Sequence, residues 1–410
     1  MSEWKEVNLS DVTSVLGDGI HGTPKYSDNG EYFFINGNNL CEGKIVIKSD
    51  TKRVSEDEYL KYRKNLTDRS ILFSINGTVG NVAKYNGEPC ILGKSACYFN
   101  IIDSVDKDYI YYVVSSPSFV KSMSNLANGT TIKNVSLKQM REKKLYLPPL
   151  EIQHSIASIL SSLDDKIAVN KKICENLEAQ AQALFKNWFV DFAPFKDGKF
   201  VESELGLIPE GWRVGSLGEI IEFQNGYSFK SSLFVDSGRY KVITIKAVQD
   251  GKLVTDGADK INILPSNIPS FCILKPEDIL MSLTGNVGRV CLVNQEGLVL
   301  NQRVCKLRAK VSKNRGIIYT LIRGKSMKNR MINLAKGTAQ ANLSPIETSK
   351  LPIVIPPQKC IDCIADILNE YLLKLVKCEQ ESLRLSTLRD TLLPKLMSGE
   401  IKVNEIEKSL

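Results

Sequence analysis

The chain repeats itself at a fixed offset of 208 residues, and that register constrains its architecture more than composition does. Trp4 and Leu9 recur as Trp212 and Leu217, and Ile71, Leu72, Ser74, Gly77, Val79, Gly80 and Val82 recur as Ile279, Leu280, Ser282, Gly285, Val287, Gly288 and Val290. Ala127, Gly129, Thr130, Asn134 and Ser136 return as Ala335, Gly337, Thr338, Asn342 and Ser344, and Pro148-Pro149 returns as Pro356-Pro357, with no slip of register. A period of this length is a whole domain plus a connecting element, far beyond the ~20–50 residues of solenoid repeats. The chain therefore reads as a pseudo-dimer on one polypeptide. A two-fold object suits a two-part ligand, and for a basic protein the commonest such ligand is duplex DNA.

A chain of 410 residues exceeds what one hydrophobic core usually supports, so two domains follow from length and the repeat fixes the cut. The net charge of +8 is compatible with a polyanionic partner and too small to identify one. No apolar run approaches the ~18 residues of a membrane span, and the first residues lack the basic and apolar regions of a signal peptide, which predicts a cytoplasmic protein. The ten cysteines are scattered, which predicts reduced thiols, and Cys97 and Cys305 read as one buried site present twice. Cys360 and Cys363 form a CxxC without the second pair or nearby histidine of a zinc site, so no metal is expected.

Each half opens with a β-leaning segment. β-Branched and aromatic runs bounded by turn residues predict strands at 32–35, 44–47, 70–74 and 97–101, with counterparts at 240–244, 278–282 and 304–307. One helix is expected at 107–126 and another at 316–334, each before a repeated Gly-Thr turn. After Pro148-Pro149 the pattern changes to a heptad: Ile156, Leu160, Leu163, Ile167, Asn170, Cys174, Leu177, Ala181, Leu184 and Trp188 alternate four and three apart. The seam persists in the second half through Ile364, Leu368, Tyr371, Leu375, Cys378, Ser382, Leu385, Arg389, Leu392 and Leu396.

From Ile156 to Trp188 such a helix rises roughly 48 Å, a rod able to hold two domains about one DNA turn apart. Asn170, near the middle of the first seam, is the type of residue that fixes register in coiled coils. The predicted class is α+β: two tandem, pseudo-two-fold-related α/β domains, mostly β-rich, joined by two long helices in an antiparallel coiled coil. The expected boundaries are 1–150 for the first domain, 151–190 for the first helix, 191–211 for a Pro- and Gly-rich linker, 212–357 for the second domain, and 358–400 for the second helix and tail.

Catalytic signatures are missing. No glycine-rich loop ends in Gly-Lys-Ser or Gly-Lys-Thr, as phosphate binding by backbone amides requires. The residues before the two Pro-Pro pairs are Leu147 and Ile355, which leaves no polar ligand for a flipped base, so the pairs read as stiff joints between domain and helix. His21 and His154 are the two histidines, and the counterpart of His154 is Asp362, which argues against a shared catalytic role. The chain reads as a binder rather than an enzyme.

The best-matched short segments, 74–82 and 282–290, share their glycines and differ in their polar tips: Asn76 against Thr284, Thr78 against Asn286, Asn81 against Arg289. A shared frame with variable tips suits base reading, because Asn pairs with adenine, Arg with guanine, and Ser or Thr with either. Equally, such residues cap β-turns. The second repeated turn adds Thr131 and Lys133 in the first copy and Lys336 and Gln340 in the second, whereas the identical Asn134 and Asn342 read as braces. Lys94 against Gln302, Ser95 against Arg303, and the loops carrying His21, Thr23 and Lys25 or Tyr227 and Lys230 complete the candidate DNA contacts. Because the tips differ, the two halves are expected to read different half-sites.

The whole chain resembles the specificity (S) subunit of type I restriction-modification systems. The residues that carry the resemblance are Gly-Asp-Gly-Ile-His-Gly-Thr-Pro-Lys-Tyr at 17–26, the paired Gly-Thr turns, the segment 147–153, Trp188-Phe189-Val190-Asp191-Phe192, Ile208-Pro209-Glu210-Gly211-Trp212 and the tail 388–401. The resemblance implies two target recognition domains that read a split, asymmetric site, and two helical spacers that fix its gap. It further implies two methyltransferase (M) subunits docked on the helices, with Ile156, Leu160, Leu163, Ile167, Asn170, Leu177, Leu184, Trp188, Leu368, Leu375, Leu385, Leu392 and Leu396 as the spacer and docking positions, and restriction (R) subunits beside them. S-adenosylmethionine, ATP and magnesium would then belong to those partners, and this chain would carry no cofactor. A stand-alone bipartite DNA-binding architectural or regulatory protein is the alternative reading.

Overall fold

A computed structural model describes residues 4–127, 134–335 and 342–403. Thr131, Lys133, Lys336 and Gln340 lie outside these described residues. The chain divides into two compact units, one formed by 1–165 with 385–410 and the other by 166–384. The divisions fall inside the two long helices, so each unit combines a globular domain with segments of both.

In the first unit a four-stranded antiparallel sheet runs in the order Thr13–Asp18, Ala96–Ile101, Ser70–Ser74, Val82–Lys84. Ser70–Ser74 is apolar on both faces because both are covered. Ile71 and Phe73 pack with Phe99, Tyr109 and Phe119 under the helices, while Leu72 packs with Ile35, Leu92 and Tyr98 against a second, smaller sheet. That sheet has Tyr32–Ile35 at its centre, parallel to Cys90–Leu92 and antiparallel to Arg53–Val54. Lys5–Asn8 pairs with Lys144–Leu147 and brings the two ends of the domain together.

The second unit repeats this plan with the sheet Ile221–Asn225, Val304–Ala309, Ile279–Ser282, Val290–Leu292. Ile279 and Met281 face its helices, and Leu280 faces its smaller sheet around Tyr240–Ile243. Cys97 and Cys305 are both fully buried, as equivalent positions should be.

Several sequence expectations are refined. The register does slip locally: Thr13 and Val15 pair with Ile101 and Asn100, leaving Ser14 as a β-bulge that the second copy lacks. From Val15 to Gly19 the offset is therefore 207, and Gly19 and Gly226 are the true counterparts, each donating its N–H to the carbonyl of the first residue of the central strand. The helix expected at 107–126 is two helices, Lys107–Ser115 and Pro117–Leu126, because Ser116 caps the second and Pro117 has no N–H to continue the first. In the second copy Gly324 separates Arg315–Arg323 from Lys325–Ala335. The strand expected at 44–47 is confined to Lys44–Ile45. The segment read as a linker folds into a hairpin, Phe200–Ser203 against Gly206–Pro209, next to an aromatic cluster of Trp188, Phe192, Phe195 and Trp212.

The long helices span Leu150–Phe189 and Gln358–Met397, each ~60 Å at ~1.5 Å per residue. Every predicted seam position is buried or half-buried. In the second unit the pairing is antiparallel: Lys166 and Asn170 meet Glu381, Cys174 lies beside Leu375, and Ala181 and Leu184 pack with Ile364 and Leu368. In the first unit Ile156 and Leu160 share a core with Leu393 and Leu396. The buried stripe is wider than a coiled-coil seam, for Ala157, Ile361, Ala365, Leu372 and Val376 are also buried against the globular domains.

Polar contacts lock the helices to the sheets. Tyr112 Oη donates to Asp164 at 2.7 Å, and Arg389 donates to the same carboxylate at 2.6 Å. In the second unit Tyr319 Oη and Arg323 both donate to Glu178, at 2.6 and 2.5 Å. Asn170 Nδ2 donates to Glu381 Oε2 at 2.9 Å across the helix pair, as expected of a residue that sets register.

Two outcomes follow. Leu368→Ala removes a side chain that is 1% exposed and should cost about 2–5 kcal/mol in denaturant unfolding, whereas a loss under about 1 kcal/mol would mean the site collapses around the gap. Burial and the nearby Glu178 carboxylate push the carboxyl of Glu379 up to about 7, against the opposing influence of Asn294 and Lys252. A raised carboxyl contributes stability that is complete below its unfolded value near 4.5 and lost as pH rises through about 7. Glu379→Gln should therefore stabilise the protein at pH 8, by about 1–2 kcal/mol, and have little effect at pH 4.5; thermal melts at the two pH values compare them.

Candidate nucleic-acid interface

Strand directions bring the divergent loops together. Ala96 pairs with Ser74 and Cys97 with Asp18, so the start of the central strand lies beside the ends of its two neighbours. Ile35 pairs with Leu92, so the smaller sheet ends at the same place. Loops 19–26, 36–39, 75–81 and 93–95 therefore converge on one edge of the first domain. A cleft of about 330 Å³ opens among them, lined by Asn36, Gly37 and Asn38 from one loop, Asn76, Gly77 and Thr78 from another, and Ser95 from a third.

The cleft is built on a hydrogen-bonded frame. Ser95 Oγ accepts from Gly37 N–H and donates to Asn36 Oδ1, both at 2.9 Å, and Ile75 N–H donates to Ser95 O at 3.0 Å. Asn81 Nδ2 donates to Gly37 O at 2.9 Å, and Ser74 Oγ donates to Thr78 O at 2.6 Å. A Cβ on Gly37 would stand 2.7 Å from Ser74 Cβ, so glycine is required for the close approach. Gly77 has φ +77°, with open space around its missing side chain. The side chains of Asn38, Asn76 and Thr78 have no hydrogen-bond partner among the described residues and can meet a ligand.

The second domain keeps the backbone part of this frame and the serine bond, without the side-chain bonds of Ser95 and Asn81. Leu283 N–H donates to Arg303 O at 3.0 Å, Ser282 Oγ donates to Asn286 O at 2.5 Å, and Asn301 N–H donates to Ile243 O at 3.1 Å where Gly93 N–H donates to Ile35 O at 2.8 Å. Loops 226–230, 244–246, 283–289 and 301–303 converge as their counterparts do. Lys246, Asn286, Gln302 and Arg303 are exposed there.

Residues 1–179 and 209–384 match the family described as "Type I restriction modification DNA specificity domain". The chain belongs to this family. Among curated relatives, the type I restriction enzyme MjaIX specificity subunit of Methanocaldococcus jannaschii is 27% identical over 392 residues, covering 94% of this chain and 87% of that protein. The HindI specificity subunit of Haemophilus influenzae is 24% identical over 344 residues, covering 69% and 74%. The crystal structure of a type I restriction-modification S subunit from M. genitalium matches with TM-score 0.56 over 96% of both chains at 19% identity, which shows that the fold is shared. No helix among the described residues is long and apolar enough to cross a membrane.

Within this specificity-domain plan the sequence candidates separate into two groups. Asn76, Thr78 and Ser95 line the cleft, with Lys94 exposed at its rim, and Thr284, Asn286, Gln302 and Arg303 occupy the same places in the second domain. His21, Thr23 and Lys25 are exposed on the converging loop, where His21 Nε2 lies 2.8 Å from Asp18 Oδ2, and Lys230 is exposed on its counterpart. Tyr227 instead packs its ring on Phe229 and donates its hydroxyl to Asn267 at 2.8 Å.

Asn81 and Arg289 are braces rather than free tips, for Asn81 bonds Gly37 O and Arg289 bonds Gln249. Of the spacer and docking positions, Ile156, Leu160, Asn170, Leu368 and Leu396 are at most 1% exposed inside this chain and serve the packing of the helices. Asn36, Asn38 and Lys246 were missed by sequence reasoning. The divergence of Asn38 and Lys246 at the 208-residue offset was the available signal, hidden in a turn that shares no glycine pattern.

Gly37→Ala, which drives a Cβ into Ser74, should lower stability by about 1–3 kcal/mol, and Gly77→Ala, which strains a positive φ in open space, by about 1 kcal/mol or less. Urea titration of both variants ranks them; the reverse order would mean that the loop yields more readily than the frame described.

Proposed function

We propose that this chain is the DNA-recognition subunit of a type I restriction-modification complex and binds an asymmetric, two-part duplex site, one half per domain. The single observation that supports this best is the pair of equivalent loop edges, alike in their backbone bonds and different in their exposed tips. Base reading needs that combination, because the frame fixes where a side chain reaches the groove and the tip decides which base edge it matches. The exposed cations Lys25, Lys94, Lys230 and Lys246 suit phosphates beside the groove.

On this reading the chain supplies no catalytic group and acts in the cytoplasm. M subunits bring S-adenosylmethionine and methylate adenines, and R subunits bring ATP- and magnesium-dependent translocation and cleavage. The paired helices set the gap between half-sites, and the M subunits meet their outer, solvent-facing surfaces, with the seam acting only through helix geometry. Methylome sequencing of cells that express the chain with its M subunit should show modified adenines in one two-part motif with a constant gap and unlike halves. A contiguous palindrome, or no modified motif, would overturn the proposal.

A further inference from the structure

The first-domain cleft and the equivalent loop edge of the second domain share backbone bonds and differ in charge. In the first, the lining side chains are amides and hydroxyls, and the free ones are Asn38, Asn76 and Thr78. The counterparts in the second are Lys246, Thr284 and Asn286, and the place of Ser95, whose hydroxyl is spent on Asn36 and Gly37, is taken by Arg303. Arg303 keeps the backbone bond of that position, Leu283 N–H to Arg303 O at 3.0 Å, so the frame survives and only the tip is exchanged. Its guanidinium and the ammonium of Lys246 are exposed and have no ion-pair partner among the described residues. Arg289, by contrast, is committed to Gln249, and Arg308 to Glu222. Arg303 is thus free to meet a ligand where these two arginines are not.

We infer that the two loop edges discriminate opposite base pairs: Arg303 reads a guanine in the half-site of the second domain, and the side-chain amides of Asn38 and Asn76 read adenine in the half-site of the first. This rests on the DNA-recognition reading above and adds which residues read and what they select. The chemistry is that of the base edges. Guanine presents two acceptors, O6 and N7, in the major groove, which match the parallel N–H groups of one guanidinium. Adenine presents one acceptor and one donor, N7 and the N6 amine, which match the N–H and carbonyl of one carboxamide. An arginine meets a donor with no acceptor of its own, so adenine at that place leaves both groups unpaired. The lining of the first cleft is neutral, its cation Lys94 standing at the rim, and the lining carboxamides favour the mixed edge of adenine.

The test uses the full chain in the complex in which it binds DNA, with a library of randomised duplexes whose bound fraction is sequenced. Wild type should select a guanine in one half-site and an adenine in the other. Arg303→Gln should reduce the guanine preference at one position by about ten- to a hundredfold and leave the other half-site unchanged. Asn76→Ala combined with Asn38→Ala should do the same for the adenine. Arg303→Lys, which keeps the charge and loses the planar fork, should retain overall affinity and still lose discrimination. If Arg303→Gln weakens all sequences equally and lowers the salt dependence by one phosphate contact, Arg303 holds the backbone and the inference fails while the recognition function stands. A wild-type complex that selects no sequence overturns both. All these residues except Asn76 are exposed, and an unchanged melting curve separates lost reading from lost folding.

Discussion

The structure depends on the burial of helix segments from one half of the chain in the core of the other. Ile156 and Leu160, at the start of the first long helix, share a core with Leu393, Leu396 and Val403 from the end of the second. The second unit does the converse, covering Leu372, Leu375 and Val376 with Leu177. At about 25 cal/mol per Å² of buried apolar surface these contacts outweigh the single polar pairs around Asp164 and Glu178, whose work is to fix rotation and register. The rigidity of each loop edge rests on this, since the sheets that carry the loops are packed on helices that are themselves held in pairs.

Such an arrangement makes folding non-local. The contacts that complete the first unit join residues more than 200 apart, and sequence separation of this kind slows folding more than it weakens stability. At synthesis rates of about 5–20 residues per second, Ile156 and Leu160 wait on the order of tens of seconds for their partners. Ser116, Pro117 and Gly324 shorten the neighbouring helices in each domain, so the part that can form early is the sheet with its two short helices.

Much of the frame was legible in the sequence because it obeys periodicity. Ser70–Ser74 and Ile279–Ser282 are continuous apolar runs covered on both faces, and the seam from Ile156 to Trp188 keeps its spacing through 40-residue helices. Thr13–Asp18 was not legible, since a bulge at Ser14 and two polar ends mask its alternation. The hairpin at 200–209 was hidden by proline and glycine, which also mark linkers. The cleft was half legible: offset comparison found Asn76, Thr78 and Ser95, but Asn36 and Asn38 join them only through the parallel pairing of Ile35 with Leu92, which no local pattern reveals. Nor could spacing tell a free tip from a brace, as Asn81 and Arg289 show.

The separation of buried frame from exposed tip also bears on how such a protein changes over generations. Asn38, Thr78, Lys246, Asn286 and Arg303 stand in solvent, where substitutions usually alter stability by no more than about 0.5 kcal/mol. A change of tip is thus a step that selection can take without a compensating change elsewhere. The loops at each edge are held within their own unit, so a change at one edge leaves the other edge's packing as it was. The duplicated chain is in this sense a modular alphabet, in which altered letters leave the grammar of the fold untouched.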